Sequence, residues 1–181
     1  YMSSNSTNIS SVDGDIRLEG TSNGTTSSND GVDLWSIGGI ESTGTGADAA
    51  SITVIGNGNG NNNTNGISFY NFDVNSAAGA IQLSGPVNPA GRSPYGLYGI
   101  ATSTCTIQVT DGSLNLDGVS NGGDSPGIQY NNTNFVSIGA GNIIMNAKGS
   151  NLNHFAGNLT SSIGGTSHTG NILINTDSIY M

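Results

Sequence analysis

The side chains best equipped for chemistry in this sequence are its carboxylates: Asp13, Asp15, Glu19, Asp30, Asp33, Glu41, Asp48, Asp73, Asp111, Asp117, Asp124 and Asp177. Cleavage of a glycosidic bond needs two of them converging on one groove. Glu19 and Asp117 come nearest to that, because each occupies the same place in a recurring segment. They lie two or three segments apart, which predicts a separation of about 10–15 Å if each segment is one strand spacing. Asp13 with Asp15, or Asp111 with Asp117, could offer clustered oxygens to a hard cation such as calcium. No repeating aspartate motif supports that, and the acids are expected to be solvated at the surface. His154 and His168 are far apart in sequence and are expected in exposed loops of the last full turn. Cys105, the one cysteine, lies in the strand-like Thr104-Cys105-Thr106-Ile107 and reads as a small buried hydrophobe. Gly56-Asn57-Gly58-Asn59-Gly60 has the glycine content of a phosphate loop without its lysine or its helix, and reads as an outward loop. Trp35, Tyr70, Tyr95, Tyr98, Tyr130 and Phe155 could form an outward strip that grips sugar rings, or could divide between core and corners. No catalytic, cofactor-binding or metal-ligating residue is assigned from the sequence, and no cofactor is expected.

The composition narrows the classes further. Charged residues make up 8% of the 181-residue chain, against roughly 25% in an average protein. The net charge is -9, and Arg17, Arg92 and Lys148 cannot assemble a basic patch, so nucleic-acid binding is not expected. No apolar run approaches the ~18 residues of a membrane span, and no insertion of this segment into a membrane is expected. One cysteine permits no internal disulfide. Asn-x-Ser/Thr triplets at Asn5, Asn8, Asn23, Asn62, Asn131 and Asn158 are what so much Asn, Ser and Thr produces by chance.

What must position these groups is a repeat. Gly14-Asp15-Ile16-Arg17-Leu18-Glu19-Gly20 recurs as Ile52-Thr53-Val54-Ile55-Gly56, Ile81-Gln82-Leu83-Ser84-Gly85 and Leu114-Asn115-Leu116-Asp117-Gly118. Looser copies follow at Ile143-Ile144-Met145-Asn146 and Ile172-Leu173-Ile174-Asn175. The leading positions 16, 52, 81, 114, 143 and 172 are spaced 36, 29, 33, 29 and 29 residues apart. Apolar residues at alternate positions mark a strand with one buried face, and periods near 30 mark a solenoid. A second element follows each marker strand after a variable loop: Gly31-Val32-Asp33-Leu34-Trp35, Gly66-Ile67-Ser68-Phe69, Gly96-Leu97-Tyr98-Gly99, Gly127-Ile128-Gln129-Tyr130 and, weakly, Gly157-Asn158-Leu159. A third apolar element is placed at Ile37/Ile40, Phe72/Val74, Ile107/Val109, Val136/Ile138 and Ile163. Helices are nearly excluded, since glycine or β-branched residues break every candidate window. The predicted fold is therefore all-β: one right-handed parallel β-helix over residues 1–181, with about six turns and three short strands per turn. Its handedness follows from the crossover preference of parallel strands. Glycine and asparagine are expected at the corners because they tolerate positive φ.

Residues 1–13 read as the tail of an earlier coil, and the chain as a segment of a longer repetitive protein. Tyr180-Met181 repeats Tyr1-Met2; either two residues coincide, or the chain is one period of a 179-residue tandem array.

The marker strands and the loops followed by Gly-Val-Asp-Leu and Gly-Ile-Ser-Phe resemble the passenger β-helix of filamentous haemagglutinin-like adhesins and autotransporters, over about residues 9–179. The resemblance implies an extracellular or cell-surface stalk of a bacterial adhesin or matrix fibre, without catalysis. Its partners would be flanking repeats or other copies stacked end to end, and cell-surface glycans. The alternative is a carbohydrate-binding or carbohydrate-cleaving β-helix of the spike or lyase kind. Asn175-Thr176-Asp177 matches a polygalacturonase tripeptide, but the accompanying glycine-histidine-glycine and arginine-lysine motifs are missing. Ice binding through threonine rows is a third reading; Thr43 and Thr45 start a row that later turns do not continue.

Overall fold

Alternation sets the local structure. In Ile52-Thr53-Val54 and Ile81-Gln82-Leu83 the odd members point one way and the even members the other, and only the first set is buried. The computed structural model describes residues 8–24, 29–46, 48–59, 64–87, 95–121, 125–149, 154–156, 161–176 and 178–180. Its strands are β1 (Asn8–Ser11), β2 (Ile16–Ser22), β3 (Val32–Ser42), β4 (Ile52–Gly58), β5 (Ile67–Ser76), β6 (Ile81–Val87) and β7 (Leu97–Val109). They continue with β8 (Leu114–Ser120), β9 (Ile128–Ser137), β10 (Ile143–Lys148), β11 (His154–Ala156), β12 (Ser162–Gly164), β13 (Ile172–Thr176) and β14 (Ser178–Tyr180). No helix occurs among the described residues.

Two parallel sheets enclose the core. One carries the marker strands in the order β2-β4-β6-β8-β10-β13; the other runs β1-β3-β5-β7-β9-β11-β14, with β12 also on β9. Ile16, Ile52, Ile81, Leu114, Ile143 and Ile172 stand in one register column. In the second sheet Leu34 stacks on Phe69 and Ile40 on Val74, and Ile107 continues the latter column to Phe135. These side chains form one continuous core. The chain is a β-solenoid.

The expected six turns and three short strands per turn need adjusting. All six marker strands are present, but only four coils (β2–β3, β4–β5, β6–β7, β8–β9) pair one with a long strand. In those coils the second and third elements merge, and register breaks after Trp35, Tyr70 and Ile100 mark the former joint. Asn71 and Asn132 turn that corner with φ of 51°, a left-handed conformation that asparagine accepts. The third element in β9 also differs: Thr133, Phe135 and Ser137 face inward, while Ile138 is exposed.

Glycine serves another purpose than expected. Among the described glycines only Gly164 has a positive φ; the recurrent glycines are needed for close approach. A Cβ on Gly20 would lie 2.0 Å from the Gly31 carbonyl oxygen, and one on Gly56 2.0 Å from that of Gly66. On Gly85 and Gly118 it would meet Gly96 and Gly127 at 2.1 and 2.2 Å. The two sheets therefore touch backbone to backbone at a neck. This explains the glycine in each of the first four marker strands and the one that opens the second element after it; in β10 and β13 the same register position holds Ala147 and Thr176. The Gly56–Gly60 run departs from expectation here: Gly56 to Gly58 belong to β4, with Gly56 and Gly58 buried, and Gly60 lies outside the described residues. A second glycine column, Gly79, Gly112, Gly141 and Gly170, packs each turn onto the carbonyl of the turn before. Buried serines latch onto this corner: Ser42 Oγ donates to the Ala50 carbonyl (2.7 Å) and Ser76 Oγ to that of Gly79 (2.6 Å).

Gly56→Ala should cost about 3 kcal/mol or more, the upper range for overpacking, whereas Gly46→Ala, with nothing within 4 Å of the new Cβ, should be nearly neutral. Thermal melts followed by far-UV circular dichroism check the pair. Equal melting temperatures would refute the neck.

Candidate functional site

The carboxylates are not simply solvated. Several accept a backbone N–H from the next coil, because they stand just ahead of a strand or, for Asp73, at the register break inside β5. Asp15 precedes the first marker strand, and its Oδ1 accepts the Ser51 N–H at 2.8 Å. Asp30 precedes the neck glycine Gly31, and its Oδ1 accepts the Asn65 N–H at 2.8 Å; Asn65 Oδ1 accepts that of Tyr95 at 3.2 Å. Asn142 repeats the first arrangement with Asn171 at 2.9 Å, and Asp73 holds the Thr106 N–H at 2.7 Å. Each such bond satisfies a donor at a corner, where no strand ladder reaches it.

Glu19 and Asp117 do share a row, through Ile55 and Ser84. Three strand spacings separate them, ~14 Å, which exceeds the roughly 5–9.5 Å of glycosidase pairs. Their side chains are engaged elsewhere. Arg17 donates to Glu19 at 2.8 Å, with both groups more than half exposed, a pair of small energetic weight. Asn146 Nδ2 donates to Asp117, and Asn175 Nδ2 donates to Asn146 Oδ1 at 2.6 Å, forming an amide ladder on the outer face.

Asp13 is exposed beside the Asp15 corner, and Asp111 sits in the corner before β8 while Asp117 lies on that strand. Among the described residues no three His, Cys, Asp or Glu side chains come together as a metal site would require. His168 is in the turn before β13, and both its ring nitrogens are buried without a hydrogen-bond partner, so it is not the exposed loop histidine expected. His154 lies in β11; its side chain, like those of Tyr98 and Phe155, is outside the described part, as are Arg92, Asp124 and Asp177. Cys105 is buried, donates to the Phe72 carbonyl, and is pushed up to about 12 by burial and the nearby Asp73 charge. It is a protonated core thiol at neutral pH. Thr43 and Thr45 lie in the corner after β3 and not on a sheet face.

The aromatic residues divide. Tyr130 is buried edge-on against Phe135, with ring centroids 5.0 Å apart, and burial pushes its hydroxyl up to about 12. Trp35 is 48% exposed and leans on Tyr70 with centroids 5.4 Å apart and planes tilted by 58°. The two are register partners on β3 and β5. Asp33 stands two residues before Trp35 on the same outward row, with Ser68 as its register partner. Burial raises the carboxyls of both Asp30 and Asp33, and the Asp30 charge raises Asp33 further. The exposed Trp35 ring thus shares an outward row with the Asp33 carboxylate. Beyond the corner, Gly38 and Gly39 leave a shallow polar groove of about 190 Å³ lined by Asn8, Ser10, Glu41, Asp73 and Asn75. Of the strip expected from the sequence, Trp35 and Tyr70 pair on the outward row and Tyr130 is buried, while the side chains of Tyr98 and Phe155 lie outside the described part. Register, which composition does not reveal, selects that pair.

No family model matches the chain, and no curated protein or solved structure matches it either.

Because Asp33 is raised in the folded state, it binds protons more readily there than in the unfolded chain. Its contribution favours folding as pH falls toward the ordinary carboxylate value and opposes it as pH rises through the raised one. Asp33→Asn should therefore raise the melting temperature at pH 7 and flatten its pH dependence just above the ordinary Asp value of 3.8. Melts from pH 3 to 7 provide the check.

Proposed function

We propose that this chain is a non-catalytic structural segment of an extracellular bacterial adhesin or surface fibre, a rod whose length is set by stacked coils. The observation that carries the reading is the employment of the polar groups. Asp15, Asp30 and Asp73 hold backbone N–H groups of the next coil, and Asp117 belongs to an amide ladder. A surface that spends its carboxylates on coil-to-coil bonds suits a stalk, in which each turn adds ~4.8 Å of length. The weakly charged, Asn- and Ser-rich exterior fits the same role, and the repeat grammar of the marker strands supports the surface-fibre assignment. Antibodies raised against the segment should label intact, unpermeabilised cells of the source organism along filamentous structures in immunogold micrographs. Labelling confined to permeabilised cells would refute the extracellular placement.

The Trp35–Tyr70–Asp33 patch favours a second role on the same rod, binding of a neutral glycan. Aromatic rings stack on the apolar faces of sugars, and a neighbouring carboxylate accepts their hydroxyl protons. The basic residues of the described part, Arg17 and Lys148, lie on the other sheet, so the local field disfavours uronates and sulfated sugars. Trp35 is the only tryptophan, so its fluorescence reports on this patch alone. Titration with cellohexaose or N-acetylchitohexaose should give a saturable change, with polygalacturonate as the inert control. Tyr70→Ala, which keeps the reporter, should weaken binding roughly tenfold. A flat titration with both neutral probes, or preference for polygalacturonate, would refute it.

A further inference from the structure

We propose that the two ends of this unit are complementary portions of a single coil, completed when a second copy of the same chain follows head to tail. The inference rests on the structural reading above and specifies its partner and register.

Each complete coil has three stations: a marker strand, then the first and second halves of a long strand. The first column is Ile16, Ile52, Ile81, Leu114, Ile143, Ile172. The second is Val32, Ile67, Leu97, Ile128, Phe155, Ile179. The third is Ile9, Ile40, Val74, Ile107, Phe135, Ile163. At the carboxyl end β13 and β14 fill the first two stations of a further coil, and no described strand follows β12 at the third. At the amino end β1 fills the third station alone, ahead of β3. Laid together, β13, β14 and the next copy's β1 make one complete coil, followed by the next β2.

Chain lengths agree. From the second station to the third the chain takes 8 residues in Val32–Ile40, 7 in Ile67–Val74, 10 in Leu97–Ile107, 7 in Ile128–Phe135 and 8 in Phe155–Ile163. If Tyr180-Met181 is the next Tyr1-Met2, the offset of 179 puts the following Ile9 at position 188, nine residues after Ile179. That lies inside the range the complete coils use. From the third station to the first, Ile9–Ile16 spans 7 residues, as do Val74–Ile81 and Ile107–Leu114.

The surfaces agree as well. Ile172 is 44% exposed and Ile179 50%, while Ile143 and Ile52 in the first column are 0%. Ile9, Leu18 and Val32 on the opposite end are only partly buried. Within the unit, each first-column N–H donates to the carbonyl just before its counterpart in the next coil, as Ile52 does to Ala80 and Ile143 to Asn171, both at 2.9 Å. The same rule sends Ile172 N–H to the Asp15 carbonyl of the following copy. It sends Ile179 N–H to that copy's Gly31 carbonyl, as Leu97 donates to Gly127.

The test is a covalent dimer, residues 1–179 followed directly by 1–181, studied by hydrogen exchange with mass spectrometry or NMR. The Ile172 amide of the first unit should be protected to the level of Ile143, while that of the second unit exchanges as in the single chain. Ile172→Lys should barely shift the melting temperature when placed in the second unit and lower it markedly in the first. Equal exchange of the two Ile172 amides, or equal effects of the two substitutions, would overturn the proposal. Both comparisons are made within one molecule, so they hold whether or not a single unit is stable alone. Surface labelling of cells does not depend on the junction, so the two readings fail separately.

Discussion

The structure depends on backbone touching backbone at the glycine neck. The two sheets converge there until a methyl group on Gly20, Gly56, Gly85 or Gly118 would overlap the carbonyl of the partner glycine across it. The corner column is as intolerant: a Cβ on Gly79 would lie 1.9 Å from the Ala50 carbonyl oxygen, and one on Gly141 1.8 Å from that of Gly112. Between the paired glycines the chain takes 9 to 11 residues (Gly20–Gly31, Gly56–Gly66, Gly85–Gly96, Gly118–Gly127) while the strands keep their register. Interiors at this density transmit small errors, so one misplaced Cβ would shift both sheets of that coil. The shift would spread to the coils stacked on either side.

Stacking then determines what the polar residues can do. In a globular enzyme a carboxylate at a cleft is free to meet a substrate. In this solenoid a residue just before a strand faces the backbone of the adjacent coil at strand distance, and an Asx side chain there reaches the next N–H. Asp15, Asp30, Asn65 and Asn142 do so, and Asp73 does the same from the register break inside β5. The arrangement is a side-chain continuation of the strand ladder around the corners. Asp30 shows its cost: burial works against its charge while the hydrogen bonds to Asn65 and Ser68 work in favour of it. Burial remains the larger effect, so the clamp is held at some expense in charge solvation.

The fold was legible because a solenoid repeats its own signal. Ile16, Ile52, Ile81 and Leu114 fall in one buried column as their spacing implies, and the glycine after each loop keeps its station. Two features were misread for physical reasons. The glycines looked like turn residues, since in sequence a glycine chosen for positive φ and one chosen for lack of a Cβ are identical. The alternation of Val136 and Ile138 predicts them as an inward pair, but Asn132 turns the corner in the left-handed region and sets the phase so that Thr133, Phe135 and Ser137 face inward. The Trp35–Tyr70 contact was less legible still. It depends on a register between strands 35 residues apart, and no local pattern encodes that distance once the loop between them varies in length.

Coverage also differs along the first column. Every interior strand has its apolar row covered from both sides, and a terminal strand only from one. Ile172 carries this asymmetry directly: it has the same side chain, sheet and column as Ile143, yet it is 44% exposed against 0%. Open strand edges of this kind invite pairing with whatever strand is available, and proteins commonly blunt them with charge, proline or a covering helix. The described part of β13, Ile-Leu-Ile-Asn-Thr, carries no charge and no proline. In the proposed head-to-tail stack this edge meets the next copy in a defined register. The strand that fits it best is one whose inward row repeats the same isoleucine and leucine spacing, and β2, with Ile16 and Leu18, has that row.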